Sequence, residues 1–233
     1  MPRLRAVPYL DTGSDRDTVL LTDRQREALA TIGTRVRLPP RMPIYRQQGA
    51  ANWVFAITEG VVKSYRDLPS GKRVISNFLF ARDLFGLAEN GVYVNSAQAI
   101  TRVTFYRLPV RELIQLLKRD SEMQFQFLMK VTHELREAQR RAIMVNRRDA
   151  AGRLAMFVAL MAAHADTTAA DAHDIRDVPL PMTRSDIAAF LGLSLESVSR
   201  AAAELERRAL VTFEHHLAHI VDPAGLTSLI AAL

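Results

Sequence analysis

The spacing of apolar residues switches between helical and alternating patterns along the chain, and each switch predicts a new element. Residues 21–33 carry apolar side chains at helical spacing, with Thr22 as an N-cap and Gly33 as a stop, so they predict one short helix. From 34 to 109, short β-branched and aromatic runs are separated by turn residues at intervals of about ten, which is typical of a small antiparallel barrel or sandwich. Residues 1–20 are polar and irregular and predict a flexible arm.

Helical spacing returns after this region. Residues 111–119 predict a short helix, and 121–147 predict a long one because they contain neither Pro nor Gly. Apolar residues recur in the long helix at alternating intervals of three and four, which is the pattern of a coiled-coil seam. The predicted seam consists of Leu128, Val131, Leu135, Ala138, Ala142 and Val145. We expect this dimerisation helix, residues 121–148, to pair with a second copy; the alternative is burial against the chain's own barrel, which spans residues 21–120 with its flanking helices.

The remaining residues, 149–233, predict a winged helix-turn-helix domain. It begins with an apolar helix at 149–165 and a polar, turn-rich link at 166–180. A capping-box-like pair then starts a short helix at 184–190. After a second helix, residues 209–223 alternate as two short strands and a turn, the pattern of a wing.

The stretch "LGLSLESVSRAAAELERRAL", residues 191–210, holds the turn and the second helix. Ala188, Gly192 and Val198 have the separations of a helix-turn-helix, in which a small residue permits close crossing and glycine takes the turn. Ser194 is the expected cap of the second helix. On a helical wheel the packed side of this helix is expected to contain Leu195, Val198, Ala202 and Leu205.

The opposite side of that helix carries Glu196, Ser199, Arg200 and Ala203. In a DNA-binding helix-turn-helix this face meets base edges. Arg can donate two hydrogen bonds to guanine, and Glu can accept one from the amino group of cytosine. The alternative is that Glu196 and Arg200 form only an exposed i,i+4 ion pair, worth about 0.3–0.5 kcal/mol.

Composition narrows the possible functions. The chain has no cysteine, which excludes disulfides, cysteine-ligated zinc and cysteine-held iron–sulfur clusters. Its net charge of +6 is a mild indication of a polyanionic partner. No apolar run is long enough for a membrane span, and the first 20 residues lack the core of a signal peptide, so we expect a cytoplasmic protein. His215, His216 and His219 lie on the wing without an obvious fourth ligand, and we expect no metal there.

The order of helix, barrel, long helix and winged helix-turn-helix resembles the cyclic-AMP receptor/fumarate-nitrate regulator (CRP/FNR) family over residues 21–225. The motifs that carry the resemblance are "VFAITEGVVKSYRDLPSGKRVISNFLFARDLFGL" and "MTRSDIAAFLGLSLESVSR", the second similar to the Glu-x-x-Ser-Arg signature of the FNR/FixK branch. The resemblance implies an α+β fold with a cyclic-nucleotide-binding-like jelly roll.

The resemblance also implies roles for single residues. Glu196, Ser199 and Arg200 are expected to contact bases, with Leu195 at a thymine methyl. The expected phosphate contacts are Thr183, Arg184 and Ser197. The target expected of this branch is a TTG…CAA palindrome read by a homodimer, and the genes expected are those of low-oxygen, denitrification or nitrogen-fixation metabolism.

Departures from the family pattern bear on cofactors. Members that bind a cyclic nucleotide place a Gly-Glu pair and, further on, an Arg-Ser pair around its phosphate. The corresponding residues in "FGLAENGVYVNSAQ" are Leu87 and Asn95-Ser96, so we expect no cyclic AMP, whose phosphate would lack its main charge partner. A haem ligated by a histidine such as His133 is an alternative, although His133 fits an ordinary polar position of the long helix.

The sequence therefore predicts a homodimeric DNA-binding transcription regulator, an activator with no cofactor. The hairpin tip at 67–73 is a candidate contact for RNA polymerase, and a solvated hairpin is the alternative. A second hypothesis is a sensor whose barrel binds an effector and switches the DNA-binding parts. An enzyme of the cupin type is disfavoured because residues 34–109 contain no histidine to bind a metal.

Overall fold

A computed structural model describes residues 23–88, 90–147, 149–166 and 176–231. The predicted arm at 1–20 and most of the predicted link at 166–180 lie outside these residues. Two compact units are present, and the boundary between them falls within one long helix, after Leu135. Within the described ranges, none of the helices combines the length and the apolar character that crossing a membrane requires.

The first unit is built around an antiparallel β-barrel, as the sequence predicts. It begins with helix α1 (Asp23–Ile32). The strands that follow are β1 (Thr34–Leu38), β2 (Pro43–Tyr45), β3 (Trp53–Glu59), β4 (Val62–Asp67), β5 (Arg73–Leu79), β6 (Leu84–Phe85), β7 (Ser96–Ala99) and β8 (Val103–Pro109). They form two four-stranded sheets with the orders β1-β8-β3-β6 and β2-β7-β4-β5, a jelly-roll-like arrangement.

Helices cover the outer face of the first sheet. They are α2 (Val110–Arg119) and the beginning of α3 (Ser121–Asn146), together with α1. Val54, Leu84 and Leu108 of the sheet pack there against Met123 and Phe127 of α3, and all five are buried. Successive side chains of a strand point to opposite faces of its sheet. The first sheet carries apolar residues on both faces, so both faces must be covered by other elements.

A buried polar cluster fastens α3 to the barrel below this apolar layer. The Lys130 ammonium lies 2.6 Å from Asp83 Oδ1 and 3.1 Å from Glu134 Oε1. Asn77 donates to the second oxygen of Glu134 at 3.1 Å, and the backbone N–H of Phe80 donates to Asp83 at 2.8 Å. Burial alone would lower the pKa of Lys130, but the two carboxylates raise it above its usual value, so the ammonium stays charged.

The second unit contains the end of α3 and the helix-turn-helix. Its remaining elements are α4 (Ala150–Asp166), β9 (Asp177–Pro179), α5 (Arg184–Leu191), α6 (Leu195–Arg207), β10 (Val211–Glu214), β11 (Leu217–Ile220) and α7 (Pro223–Ala231). The strands form one antiparallel sheet with the order β10-β11-β9. The core of this unit includes Leu154, Phe157, Leu191, Leu205 and Leu226, each less than 2% exposed.

Two elements of this unit differ from the sequence prediction. Strand β9 lies in the segment predicted as an irregular link; it pairs with β11, with Val178 opposite Ala218. Helix α7 follows the wing and buries Leu226 and Ile230, and no helix was predicted there. Both elements are short and gain their stability from tertiary packing, which local patterns do not report.

Replacing Lys130 with Met is expected to destabilise the first unit by about 2 kcal/mol, because two carboxylates lose their partner. The expected loss is smaller than that for breaking a wholly buried ion pair, since Asp83 and Glu134 keep some contact with water. Urea unfolding followed by the fluorescence of Trp53, the chain's one tryptophan and part of β3, measures the change. The matched control is Lys118→Met, at an exposed position of α2.

The raised pKa of Lys130 means that its contribution is present at neutral pH and is lost as the pH rises through that pKa. Equal midpoints for Lys130→Met and Lys118→Met at neutral pH would contradict a stabilising role for the cluster.

Candidate nucleic-acid interface

Local capping interactions define both ends of α5. The Thr183 hydroxyl accepts a hydrogen bond from the N–H of Asp186 at 3.1 Å, and the Asp186 carboxylate accepts one from the N–H of Thr183 at 3.3 Å. This is the capping box that the sequence predicts. The helix ends at Gly192, whose φ of 67° is left-handed and whose N–H donates to the carbonyl of Ala188. Glycine adopts this conformation without steric cost, so the chain turns sharply between α5 and α6.

Ser194 precedes helix α6 as its N-cap, and its hydroxyl accepts from the N–H of Ser197 at 3.0 Å, as predicted. Val198, Ala202 and Leu205 are buried on its packed side. Leu195, which the wheel assigned to this side, is 52% exposed, so that assignment is wrong. It is the first residue of the helix, before the packed interface begins, and it lies instead beside the outward face.

The outward face presents Glu196 and Arg200 side by side. Their side chains are 77% and 67% exposed, and Arg200 Nη1 lies 2.7 Å from Glu196 Oε1. In the unbound protein the two residues therefore do form the i,i+4 ion pair that was the alternative interpretation. Such a pair contributes only a few tenths of a kcal/mol, so exchanging it for base contacts costs little.

The smaller polar residues predicted at the interface are engaged in local hydrogen bonds. Ser199 is half-buried, and its hydroxyl donates to the carbonyl of Leu195 at 3.1 Å. The Ser197 hydroxyl accepts from Ser194 at 2.9 Å and from Arg200 Nη2 at 3.3 Å. Arg184 is exposed in the first turn of α5. These side chains lie at the N-terminal ends of α5 and α6, where backbone N–H groups and the helix dipole favour an anion such as phosphate.

The wing histidines do not converge. His215 has a left-handed φ of 47° in the turn between β10 and β11. His216 Nδ1 faces the carbonyl of Leu180 at 3.2 Å, and His219 Nδ1 faces Asp177 Oδ1 at 2.6 Å. Across the part of the chain that the structure describes, no three His, Asp or Glu residues are grouped as a metal site requires.

The predicted seam of α3 is an exposed apolar stripe in the single chain. Leu128 and Leu135 are each 60% exposed and Val131 is 50% exposed; Ala138 and Ala142 are also exposed and Val145 is half-buried. The alternative interpretation, in which these seam residues are buried against the chain's own barrel, is therefore wrong. Phe125, 57% exposed and three residues before Leu128, extends the stripe and was missed. An i,i+3 extension of the apolar pattern was the signal for it.

Stacked aromatic rings form part of the barrel core. The Tyr45 and Tyr93 rings stack with centroids 3.9 Å apart, and Phe55 stacks with Phe85 at 5.1 Å. The Tyr93 hydroxyl donates to the carbonyl of Trp53 at 2.8 Å. Burial raises the pKa of Tyr45, and the neighbouring Tyr93 raises it further, so both groups remain neutral phenols.

Leu87, Asn95 and Ser96 stand where the sequence analysis places the nucleotide-binding pairs of the family. Leu87 is 51% exposed. Asn95 is half-buried, and Ser96 is buried with its hydroxyl accepting from the N–H of Gln47 at 3.0 Å. None of the three supplies a positive charge for a cyclic phosphate.

Comparisons with known proteins match both units. The Crp-like helix-turn-helix domain profile matches residues 152–229, and the cyclic nucleotide-binding domain profile matches residues 35–120. The transcriptional activatory protein AadR of Rhodopseudomonas palustris is 31% identical, over 88% of this chain and 85% of AadR. The nitrogen fixation regulation protein FixK of Bradyrhizobium diazoefficiens is 32% identical, over 86% and 84%. The solved structure of FixK2 from Bradyrhizobium japonicum is similar with a TM-score of 0.78 at 27% identity, over 87% of this chain and 99% of that one.

Replacing Arg200 with Ala is expected to remove about 1–3 kcal/mol of discrimination at one guanine, because a bidentate donor is lost. Competition binding against duplexes substituted at single positions measures the effect. Arg207→Ala is the control, since Arg207 is an exposed arginine of the last turn of α6, paired with Glu204. Unchanged specificity in Arg200→Ala would rule out base reading by this residue.

Proposed function

This chain belongs to the CRP/FNR family of transcription regulators, and from that premise we propose that it acts as a homodimeric, FixK-like activator that binds a palindromic DNA site. The observation that carries the proposal is the outward face of α6. Glu196 and Arg200 are exposed at its N-terminal end, held there by the buried packing of Val198 and Leu205 on the other side. In a helix-turn-helix this end enters the major groove.

We propose that each half-site is read by four residues and positioned by three others. Arg200 donates to a guanine, Glu196 accepts from a cytosine, and Leu195 contacts a thymine methyl, a role that its 52% exposure supports. Ser199 reaches a base after its hydroxyl leaves the carbonyl of Leu195. Phosphate contacts from Thr183, Arg184 and Ser197 set the register. A TTG…CAA palindrome supplies the guanine, cytosine and thymine in both halves.

A palindrome requires two recognition helices related by two-fold symmetry. The proposed interface is the α3 stripe, in which Leu128, Val131 and Leu135 are exposed to solvent in the single chain. Helix α3 has 26 residues and is therefore about 39 Å long, which gives a long seam for a second α3. Small residues at Ala138 and Ala142 permit close approach of the two helices near the DNA-binding end.

We further propose that DNA binding needs no cofactor. Aromatic rings stack in the core of the barrel, and Leu87 and Asn95 stand where a cyclic nucleotide would need charged partners. The other candidate ligand of the sequence analysis, a haem on His133, rests on a side chain outside the described residues. A sensor that requires an effector remains the second hypothesis, and the experiment below distinguishes it.

The proposed activator would contact RNA polymerase through the hairpin tip at 67–73. At this tip Arg73 pairs with Asp67 through two hydrogen bonds of 2.7 and 2.9 Å, which orders the loop, while Lys72 is exposed. The name of the relative FixK refers to nitrogen fixation. We propose target genes of low-oxygen metabolism, denitrification or nitrogen fixation on the strength of that relationship.

Selection of bound sequences from random DNA by the purified, ligand-free protein tests the proposal. We expect enrichment of palindromes with TTG and CAA halves about one helical turn apart. A parallel selection with cyclic AMP is expected to give the same sequences at the same affinity. Enrichment only in the presence of an added effector would favour the sensor hypothesis, and no enrichment under either condition would contradict DNA recognition as proposed.

Replacing Leu135 with Glu is expected to convert the dimer to monomers, because a charge is placed in the seam. Sedimentation velocity measures the change. The residue is exposed in the single chain, so the substitution removes no contact of the barrel core. Leu87→Glu, at an exposed leucine of the barrel, is the matched control. A dimer that survives Leu135→Glu would show that the interface lies elsewhere.

A further inference from the structure

Three arginines surround the connection between α3 and α4. Arg141 lies in the last turns of α3, Arg147 follows that helix directly, and Arg153 lies in the first turn of α4. All three reach the C-terminal end of a helix in the second unit. A helix C-terminus leaves its last carbonyl groups without intrahelical partners and carries a partial negative charge, so a guanidinium is well suited to cap it.

Two of the arginines hold the end of α5. Arg153 Nη1 donates to the carbonyl of Leu191 at 3.0 Å. Arg141 Nε lies 3.5 Å from the carbonyl of Phe190, and its guanidinium carbon is 5.3 Å from the centre of the Phe190 ring. Both contacts end within two residues of Gly192, the turn that sets the direction of α6. An arginine of the proposed dimerisation helix thus contacts the helix-turn-helix directly.

The third arginine holds the end of α7. Arg147 is buried, and it donates to the carbonyl of Ile230 at 2.8 Å and to that of Leu229 at 3.3 Å. Asp149 balances its charge with contacts of 3.0 and 3.2 Å. Burial alone would raise the pKa of Asp149, but the hydrogen bonds and charge of Arg147 lower it below its usual value, so the pair is ionised at neutral pH.

Gly152 leaves room for the contact between Arg147 and Asp149. The N–H of Gly152 donates to Asp149 Oδ2 at 2.7 Å. A Cβ atom at position 152 would overlap both the Asp149 carboxylate and the Arg147 guanidinium. Arg153 Nε donates to the carbonyl of Arg147 at 2.7 Å, so Arg153 also holds the main chain of the connection. Hydrogen bonds therefore link residues 147, 149, 152 and 153 to one another.

We infer that Arg141 and Arg153 are positioning residues for DNA binding, which hold α5 and the following recognition helix at a set orientation to the end of α3. This inference rests on the proposed homodimer and deepens it. We call the contacts of Arg141 and Arg153 with the end of α5 the joint. If the two α3 helices pair along the two-fold axis of the dimer, a fixed joint in each subunit fixes the separation of the two recognition helices. The joint would then determine which half-site spacing the dimer accepts.

The test compares half-site spacings. Arg153→Met and Arg141→Met keep the aliphatic part of each side chain and remove its hydrogen bonds; Arg102→Met, at an exposed arginine of the barrel, controls for the loss of one positive charge. Affinity is measured for the selected palindrome, for versions with one base pair added or removed between the halves, and for a duplex with a single half-site. Circular dichroism and sedimentation verify fold and dimer for each variant.

Wild type and Arg102→Met are expected to lose about tenfold or more in affinity when the spacing changes. The two joint variants are expected to lose about tenfold on the palindrome, to keep their affinity for the single half-site, and to respond less than about threefold to a spacing change. A purely structural role predicts a different result, in which palindrome and half-site affinities fall together.

A joint variant that keeps the wild-type response to spacing would overturn the inference, as would an equal loss on palindrome and half-site. If Arg153→Met does not fold, Arg141→Met decides the question, because Arg141 is only half-buried and its contacts are long. Failure of the proposed function looks different: wild type itself would then bind none of the duplexes.

Discussion

The packing of one side of α6 against the rest of the second unit is the constraint on which the proposed DNA-binding face depends. Val198, Ala202 and Leu205 are buried, and a helix that buries one side must present the opposite side outward. The left-handed turn at Gly192 brings the chain into this position immediately after α5. Glu196 and Arg200 are therefore exposed as a consequence of core packing, and their mutual ion pair in the free protein is a by-product of their one-turn separation.

How much the sequence predicts depends on how local the determining interaction is. The capping box at Thr183, the cap at Ser194 and the turn at Gly192 act within a few residues, and all three were predictable from spacing alone. The same holds for the α3 stripe, whose repeat lies within one helix. Strand β9 was not predictable, because its three residues are a strand only through pairing with β11, some 40 residues later. The burial of Lys130 likewise depends on Asp83, which is distant in sequence and adjacent only after the barrel has formed.

Leu195 shows a further limit of pattern analysis. A helical wheel gives the direction of a side chain about the axis, but it does not say where along the axis the packed interface begins. Leu195 has the angle of a core residue and the exposure of a surface residue, because it is the first residue of α6. The helix-capping contacts of Arg141, Arg147 and Arg153 were missed for a related reason. Arginines in a polar stretch are expected to be exposed to solvent, and the carbonyl groups that they contact lie at residues 190–230, far away in the sequence.

The charge distribution explains why a rigid joint would matter for this chain. Residues 34–109 contain eleven Lys and Arg against four Asp and Glu, whereas residues 149–233 contain six against eleven. The helix-turn-helix therefore lies in the acidic part of the chain, and general attraction to phosphate contributes less there than in a basic domain. In the proposed dimer, affinity then depends more on base contacts made simultaneously by both recognition helices. If the two recognition helices of a dimer sampled many separations, its apparent affinity for DNA would fall in proportion to the fraction of dimers with the correct separation. In our proposal no ligand is needed to select that fraction, because the arginine contacts at the ends of α5 and α7 hold these helices in place.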